Sequence, residues 1–182
     1  LSHSIYMYGG TKDRLRDRMA ILPMSLNGLQ FMTGSSYSFD NNSGVDTLHD
    51  DYQAIKWMRS KNIQGSPVVL EGQGELYRTL HSKISVYTGL PTVLGWDNHQ
   101  GQQRGYTREI SQRISDINTI YSTTDTGEAL RLLRKYDVKY IYIGDIERHY
   151  YASQGLNKFE GLSDFGISLV YSNPSVSIFE LS

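Results

Sequence analysis

The sequence predicts an α/β fold: a small, mostly parallel sheet flanked by helices, with a C-terminal antiparallel hairpin. Three observations carry that expectation. A helical pattern followed by a short buried strand occurs twice, over 50–70 and 125–143, as parallel pairing requires. Val68-Val69-Leu70 and Ile141-Tyr142-Ile143 are unbroken apolar runs of the kind covered on both faces of a sheet. Finally, 167–171 and 176–181 are strand-like and joined by Ser172-Asn173-Pro174-Ser175, which predicts a hairpin on the sheet edge.

Residues 1–47 carry the weakest pattern. Tyr6-Met7-Tyr8 precede a basic stretch (Lys12, Arg14, Arg16, Arg18), and 33–44 is rich in Ser, Gly and Asn. This part reads as an extended arm or linker, and 48–182 as the α/β domain. Asn41-Asn42-Ser43 is a glycosylation-type triplet that chance explains. From His49 the pattern sharpens. Thr47 or Asp50 can cap a helix with Tyr52, Ile55, Trp57 and Met58 on its apolar positions, and Asn62 and Gly65 end it. The strand at 67–70 leads into Glu71-Gly72-Gln73-Gly74-Glu75 and a short helical pattern through Leu76, Tyr77 and Leu80. Ile110, Ile114 and Ile117 are at helical spacing in a polar stretch over 106–117. Thr123-Thr124-Asp125 caps a further helix carrying Ala129, Leu130, Leu132 and Leu133, with acidic residues first and basic residues last. The segment 138–144 is a strand, and 145–165 is helical and aromatic.

Bulk properties narrow the function. A chain of 182 residues suffices for one well-cored domain and an arm. Eighteen basic against nineteen acidic residues give a net charge of -1, so no nucleic-acid partner is expected. With no cysteine, disulfides, thiolate nucleophiles and thiolate zinc sites are excluded together. No apolar run approaches the roughly 20 residues of a membrane span, and no signal-peptide pattern opens the chain. Its first residue is Leu1 rather than Met, as expected of an excised fragment.

The stretch 83–105 concentrates the polar chemistry. It opens as a strand pattern (Val86, Tyr87, Val93, Leu94) and continues as a glycine-broken loop holding Trp96, Asp97, Asn98, His99, Gln102, Gln103 and Arg104. Asp97 and His99, two apart, share a side if the backbone is extended, and Glu71 or Glu75 could complete a metal site with them. A network that merely fixes the loop is the plainer reading. Carbohydrate contact is the third, with Trp96 as an aromatic plate ringed by amides and a guanidinium. Glu147, Arg148 and His149 follow the strand at 138–143, and ligands of open α/β sheets gather beyond strand C-termini. A Glu147–Arg148 or Glu147–Arg104 ion pair would be structural. Many of the fourteen tyrosines, Tyr140, Tyr142, Tyr150, Tyr151 and Tyr171 among them, are expected to tile the sheet and its rim. There is no Gly-x-Ser-x-Gly, and Gly72-Gln73-Gly74 lacks the third glycine of a dinucleotide loop.

Several motifs together resemble a known set: Asp50-Asp51-Tyr52-Gln53-Ala54-Ile55-Lys56-Trp57, Gly65-Ser66-Pro67-Val68-Val69-Leu70-Glu71, Thr88-Gly89-Leu90-Pro91-Thr92-Val93-Leu94-Gly95-Trp96 with Asn98-His99 and Gln102-Gln103-Arg104, and Tyr136-Asp137-Val138-Lys139-Tyr140-Ile141-Tyr142-Ile143-Gly144 with Glu147-Arg148. They resemble the C-terminal soluble region of the uncharacterised YYY-type multi-spanning membrane proteins of bacteria and archaea. Leu26-Asn27-Gly28-Leu29-Gln30-Phe31-Met32 is similar to that family's linker after the last span. The likeness covers about 20–181. The family is similar in layout to GT-C glycosyltransferases, and more loosely this chain resembles the soluble domain of oligosaccharyltransferase catalytic subunits. It departs from them at Glu71-Gly72-Gln73-Gly74, where those enzymes carry a tryptophan-rich acceptor motif.

The resemblance implies an extracytoplasmic domain of a multi-spanning protein, with the transmembrane part of its own parent chain and a glycan or lipid-linked sugar as partners. GT-C-like enzymes keep their catalytic carboxylate between spans. The fragment alone is therefore expected to hold no catalytic residue, cofactor or metal. Trp96, Asp97, Asn98, His99, Gln102, Gln103, Arg104, Glu71, Glu147 and Arg148 form the candidate substrate-binding set. The alternative is a structural or interaction domain with no sugar binding.

Overall fold

A computed structural model describes residues 26–37, 46–61, 63–73, 80–105 and 107–182. The expectations for Tyr6-Met7-Tyr8, the basic stretch after them, Asn41-Asn42-Ser43, Asn62 and 74–79 lie outside the described residues. The chain divides into two compact units, Leu1–Tyr52 and Gln53–Ser182. In the first, a 3-10 turn at Gln30–Thr33 precedes two short antiparallel strands, β1 (Ser36–Tyr37) and β2 (Asp46–Thr47), with Ser36 opposite Thr47. Helix α1 (His49–Ser60) starts beside β2, with Asp50 and Asp51 in its first turn and Arg59 in its last.

The second unit is built on a four-stranded mixed sheet. Strands β3 (Val68–Leu70) and β4 (Val138–Ile143) pair in parallel, with Leu70 opposite Ile141. The C-terminal hairpin β5 (Ile167–Ser172) and β6 (Ser177–Leu181) adds antiparallel strands on the far side of β4, giving the order β3-β4-β6-β5. The α/β class, the parallel pair and the terminal hairpin are as the hydrophobic pattern predicts. One face of the sheet buries Leu70, Ile141, Ile143 and Phe179 against α4 (Thr107–Ser122), α5 (Thr126–Lys135) and α7 (Ser153–Asn157). Ile117, Ile120 and Tyr121 are the fully buried positions of α4, while Leu132 and Leu133 fill the same role on α5. The cap of α5 is Asp125, whose carboxylate accepts the Glu128 N–H at 3.2 Å. Beyond Gln53, α1 buries Ala54, Ile55 and Met58, and Trp57 lies 5.0 Å from the Tyr171 ring.

Two segments differ from the sequence expectation. Residues 83–88, read as a strand, form helix α2 (Lys83–Thr88). The cause is a distant carboxylate: Glu71 accepts the N–H groups of Ile84 at 2.7 Å and Ser85 at 3.0 Å, which caps a helix that Val86, Tyr87 and Thr88 disfavour. From the intended strand only Thr92 reaches the sheet, as an isolated parallel bridge to Val69. Residues 97–104, read as a loop, form helix α3 (Asp97–Arg104), which ends on Gly105 at φ +66°. Asp97 in its first turn and Arg104 in its last suit the helix dipole, and this outweighs Gly101 in the middle.

Candidate functional site

The C-terminal ends of β3 and β4 face one rim, and the turns leaving them are locked together. Glu147, in α6 (Asp145–Tyr150), is 2 % exposed. Its Oε1 accepts the Gly72 N–H and its Oε2 the Gly144 N–H, each at 2.8 Å. A Cβ on Gly72 would lie 3.0 Å from that Oε1 and 3.0 Å from the Tyr151 ring, so only glycine fits the turn without displacement. Tyr121 reaches the same place from α4, with its hydroxyl 2.7 Å from the Tyr142 carbonyl and 3.1 Å from that of Leu70. Tyr151 stacks on Tyr121 at 4.7 Å, and its hydroxyl accepts the Gln73 N–H at 2.9 Å while donating to Asn118 Oδ1 at 2.9 Å. Burial lifts the Tyr151 phenol to about 12, so that hydroxyl keeps its proton.

Above this floor opens a cleft of about 420 Å³ lined by Gln73, Asp97, Ile114, Asn118, Ser122, Tyr150 and Tyr151. Three of these, Ile114, Asn118 and Ser122, stand four residues apart on one face of α4. Gln73 is held by its own side-chain amide, which donates to the Leu94 carbonyl at 3.2 Å. Asp97 opens α3, with Oδ1 accepting the Asn98 N–H at 2.7 Å. Tyr150 is 40 % exposed, and its ring lies 5.3 Å from that of His81. His81 is buried with neither ring nitrogen hydrogen-bonded among the described residues. Burial, with help from the Lys83 charge, lowers its pKa to about 4, against a smaller opposing effect of Asp97. The His81 carbonyl accepts the Trp96 indole N–H at 3.0 Å. Ser82 beside it is left-handed at φ +66°, a strained conformation for a residue with a side chain.

The ten predicted site residues separate. Asp97 lines the cleft, and Trp96 stands beside it, partly exposed, with its ring 5.5 Å from that of His99. Helix formation turns successive residues of 97–104 outward in different directions, so Asp97 and His99 fall about 200° apart rather than on one side. Arg104 lines a different cavity of about 310 Å³ with Gln100, Glu109 and Arg113, while Gln102 and Gln103 are exposed and Asn98 half-buried. Among the described residues no three His, Asp or Glu side chains come together as metal ligands. Glu71 and Glu147 are buried and spend their carboxylate oxygens on backbone N–H groups, so they shape the floor beneath the cleft. Burial pushes Glu71 up to about 7 despite those two donors and the nearby Lys83. Arg148 forms no ion pair with Glu147. Its guanidinium donates instead to the carbonyls of Ile143 (3.1 Å) and Ser175, tying the hairpin turn to the end of β4. Tyr140 and Tyr142 are buried in the sheet, leaving Tyr150 as the exposed ring at this rim.

Sequence reasoning missed Gln73, Asn118, Ser122 and His81. Asn118 and Ser122 were legible only if the α4 pattern was extended past Ile117, which places them on the Ile114 face, and Gln73 in the turn after β3 carries no such signal. His81 follows the stretch 74–79 and no local pattern marks it as buried.

No family model matches the chain, and no curated protein matches it. Among solved structures, the chain is similar to the C-terminal globular domain of an oligosaccharyltransferase from Archaeoglobus fulgidus, at 14 % identity and a TM-score of 0.47. The match covers 71 % of this chain and 95 % of that one. Among the described residues no helix is long and apolar enough to cross a membrane.

Proposed function

We propose that this chain is the extracytoplasmic domain of a YYY-type, GT-C-like membrane protein, non-catalytic by itself, and that its rim cleft holds part of a glycan or lipid-linked sugar. The observation that carries the reading is the cleft's composition. It lies beyond the C-terminal ends of a parallel strand pair, where open α/β sheets collect ligands. It offers an acid, two amides and a hydroxyl around tyrosine rings, which suits outward hydroxyls and an apolar C–H face. The motif over 88–104 supports the same assignment through its resemblance to that family. The transmembrane part of the parent chain would supply the reaction centre and complete the groove.

A second reading is favoured by one observation: Glu71, Glu147 and the Trp96 indole all satisfy internal groups, as a structural or interaction domain would have them. A glycan array separates the two. Retention of specific glycans by the chain, reduced about tenfold or more in Tyr150→Ala, is the expected result. An array on which no glycan is retained would favour the structural domain.

A further inference from the structure

Hydrogen-bonding groups around the cleft divide into those already satisfied and those left over. Tyr151 is saturated by Gln73 and Asn118. Asn118 spends its Oδ1 on that contact, and among the described residues its amide hydrogens have no partner. Gln73 spends its Nε2 on Leu94, and its Oε1 has no partner among the described residues. Asp97 spends Oδ1 on the Asn98 N–H and keeps Oδ2. The Ser122 hydroxyl lines the cleft, without a partner among the described residues. The remainder is thus a donor amide, a hydroxyl and two acceptors, one of them a carboxylate oxygen.

That mixture discriminates between parts of a sugar ligand. A hydroxyl both donates and accepts, so it can give its proton to Asp97 Oδ2 or Gln73 Oε1 while accepting from Asn118. A phosphate at neutral pH is acceptor-only and negative. It would meet Asp97 at close range, with the carboxylate of Glu147 in the floor below.

We propose that the cleft takes a neutral, hydroxyl-bearing ring and turns phosphate away, with Asp97 as the selecting residue. The inference rests on the glycan reading above and adds that any phosphate of a lipid-linked sugar lies outside this cleft. The Tyr150 ring and the Ile114 side chain supply the apolar contact, and Asp97 and Asn118 fix which hydroxyls enter.

Ligand-observed NMR titrations of the 182-residue chain at low ionic strength test this, pairing glucose, mannose and N-acetylglucosamine each with its own 1-phosphate. At least one neutral sugar should bind, with its 1-phosphate about tenfold or more weaker. Asp97→Asn should close most of that gap, whereas Asn118→Ala should weaken the neutral sugar and leave the gap in place. Thermal melts confirm that both variants are folded. A 1-phosphate that binds as well as its parent sugar, or a gap that Asp97→Asn leaves unchanged, overturns the inference while the glycan reading stands. Absence of binding by every sugar in both forms overturns the two together.

Discussion

Glu147 Oε1 accepts the Gly72 N–H at 2.8 Å, across 75 residues of sequence, and this bond joins the turn after β3 to the helix after β4. The second oxygen holds Gly144, so one buried carboxylate satisfies the backbone of both turns. Glu147→Ala leaves two buried donors without acceptors and should cost about 3 kcal/mol. Glu147→Gln keeps the shape but offers one acceptor, and about 2 kcal/mol is expected. Urea denaturation of both variants measures the difference.

The α4–α7 contact gives a steric test. A Cβ on Gly155 would lie 2.2 Å from the Tyr121 carbonyl oxygen and 2.7 Å from that of Ser122. Neither is the end of a flexible side chain, so Gly155→Ala should destabilise by about 3 kcal/mol. Gly161→Ala, where nothing lies within 4 Å of the new atom, is the control and should stay within about 0.5 kcal/mol.

Two buried groups beside the cleft titrate in opposite senses. Glu71 is raised from 4.5 to about 7, so the folded chain binds its proton more tightly, and stability falls as pH climbs through that window. His81 is lowered from 6.5 to about 4, so the unfolded chain binds more protons there, and stability falls as pH drops from 6.5 to 4. The two slopes overlap and offset each other in the wild type. Glu71→Gln should therefore leave stability that rises from pH 4 to 6.5, and His81→Phe stability that declines from pH 4.5 to 7. Each slope should amount to about 3 kcal/mol across its window, read from denaturation midpoints against pH.

Tyr121 tests how the strand ends are pinned. Its hydroxyl is fully buried between the carbonyls of Tyr142 and Leu70, and Tyr121→Phe removes it with little change of shape. A loss of about 1 kcal/mol is expected, with faster amide exchange at the ends of β3 and β4.

Much of this architecture was legible because local and global signals agree. In α5 the Asp125 cap, the apolar stripe and the basic last turn all point to one helix. Tyr140, Ile141, Tyr142 and Ile143 are apolar on consecutive positions because their strand lies second in its sheet with β3 and β6 on either side. Lys83–Thr88 was not legible, because the carboxylate that caps it comes from Glu71, and β-branched residues near its end argue for a strand. Of the candidate cleft, Asp97 and the general position beyond the strand ends were legible. Its other half comes from α4 and from the pair Tyr150 and Tyr151, and only the fold brings those residues to Asp97. Gln100 and Arg104, three and seven residues after Asp97, share its side of α3 but lie further along the helix and line a different cavity.

The central claim, that the rim cleft is the ligand site, is tested most directly by mapping amide shifts over the whole chain during titration with a glycan retained on the array. The account predicts the largest shifts at Gln73, Asp97, Asn118, Ser122 and Tyr150, and their loss in Tyr150→Ala. Shifts centred on Gln100, Arg104 and Arg113, or on the groove holding Lys61 and Arg134, would contradict it.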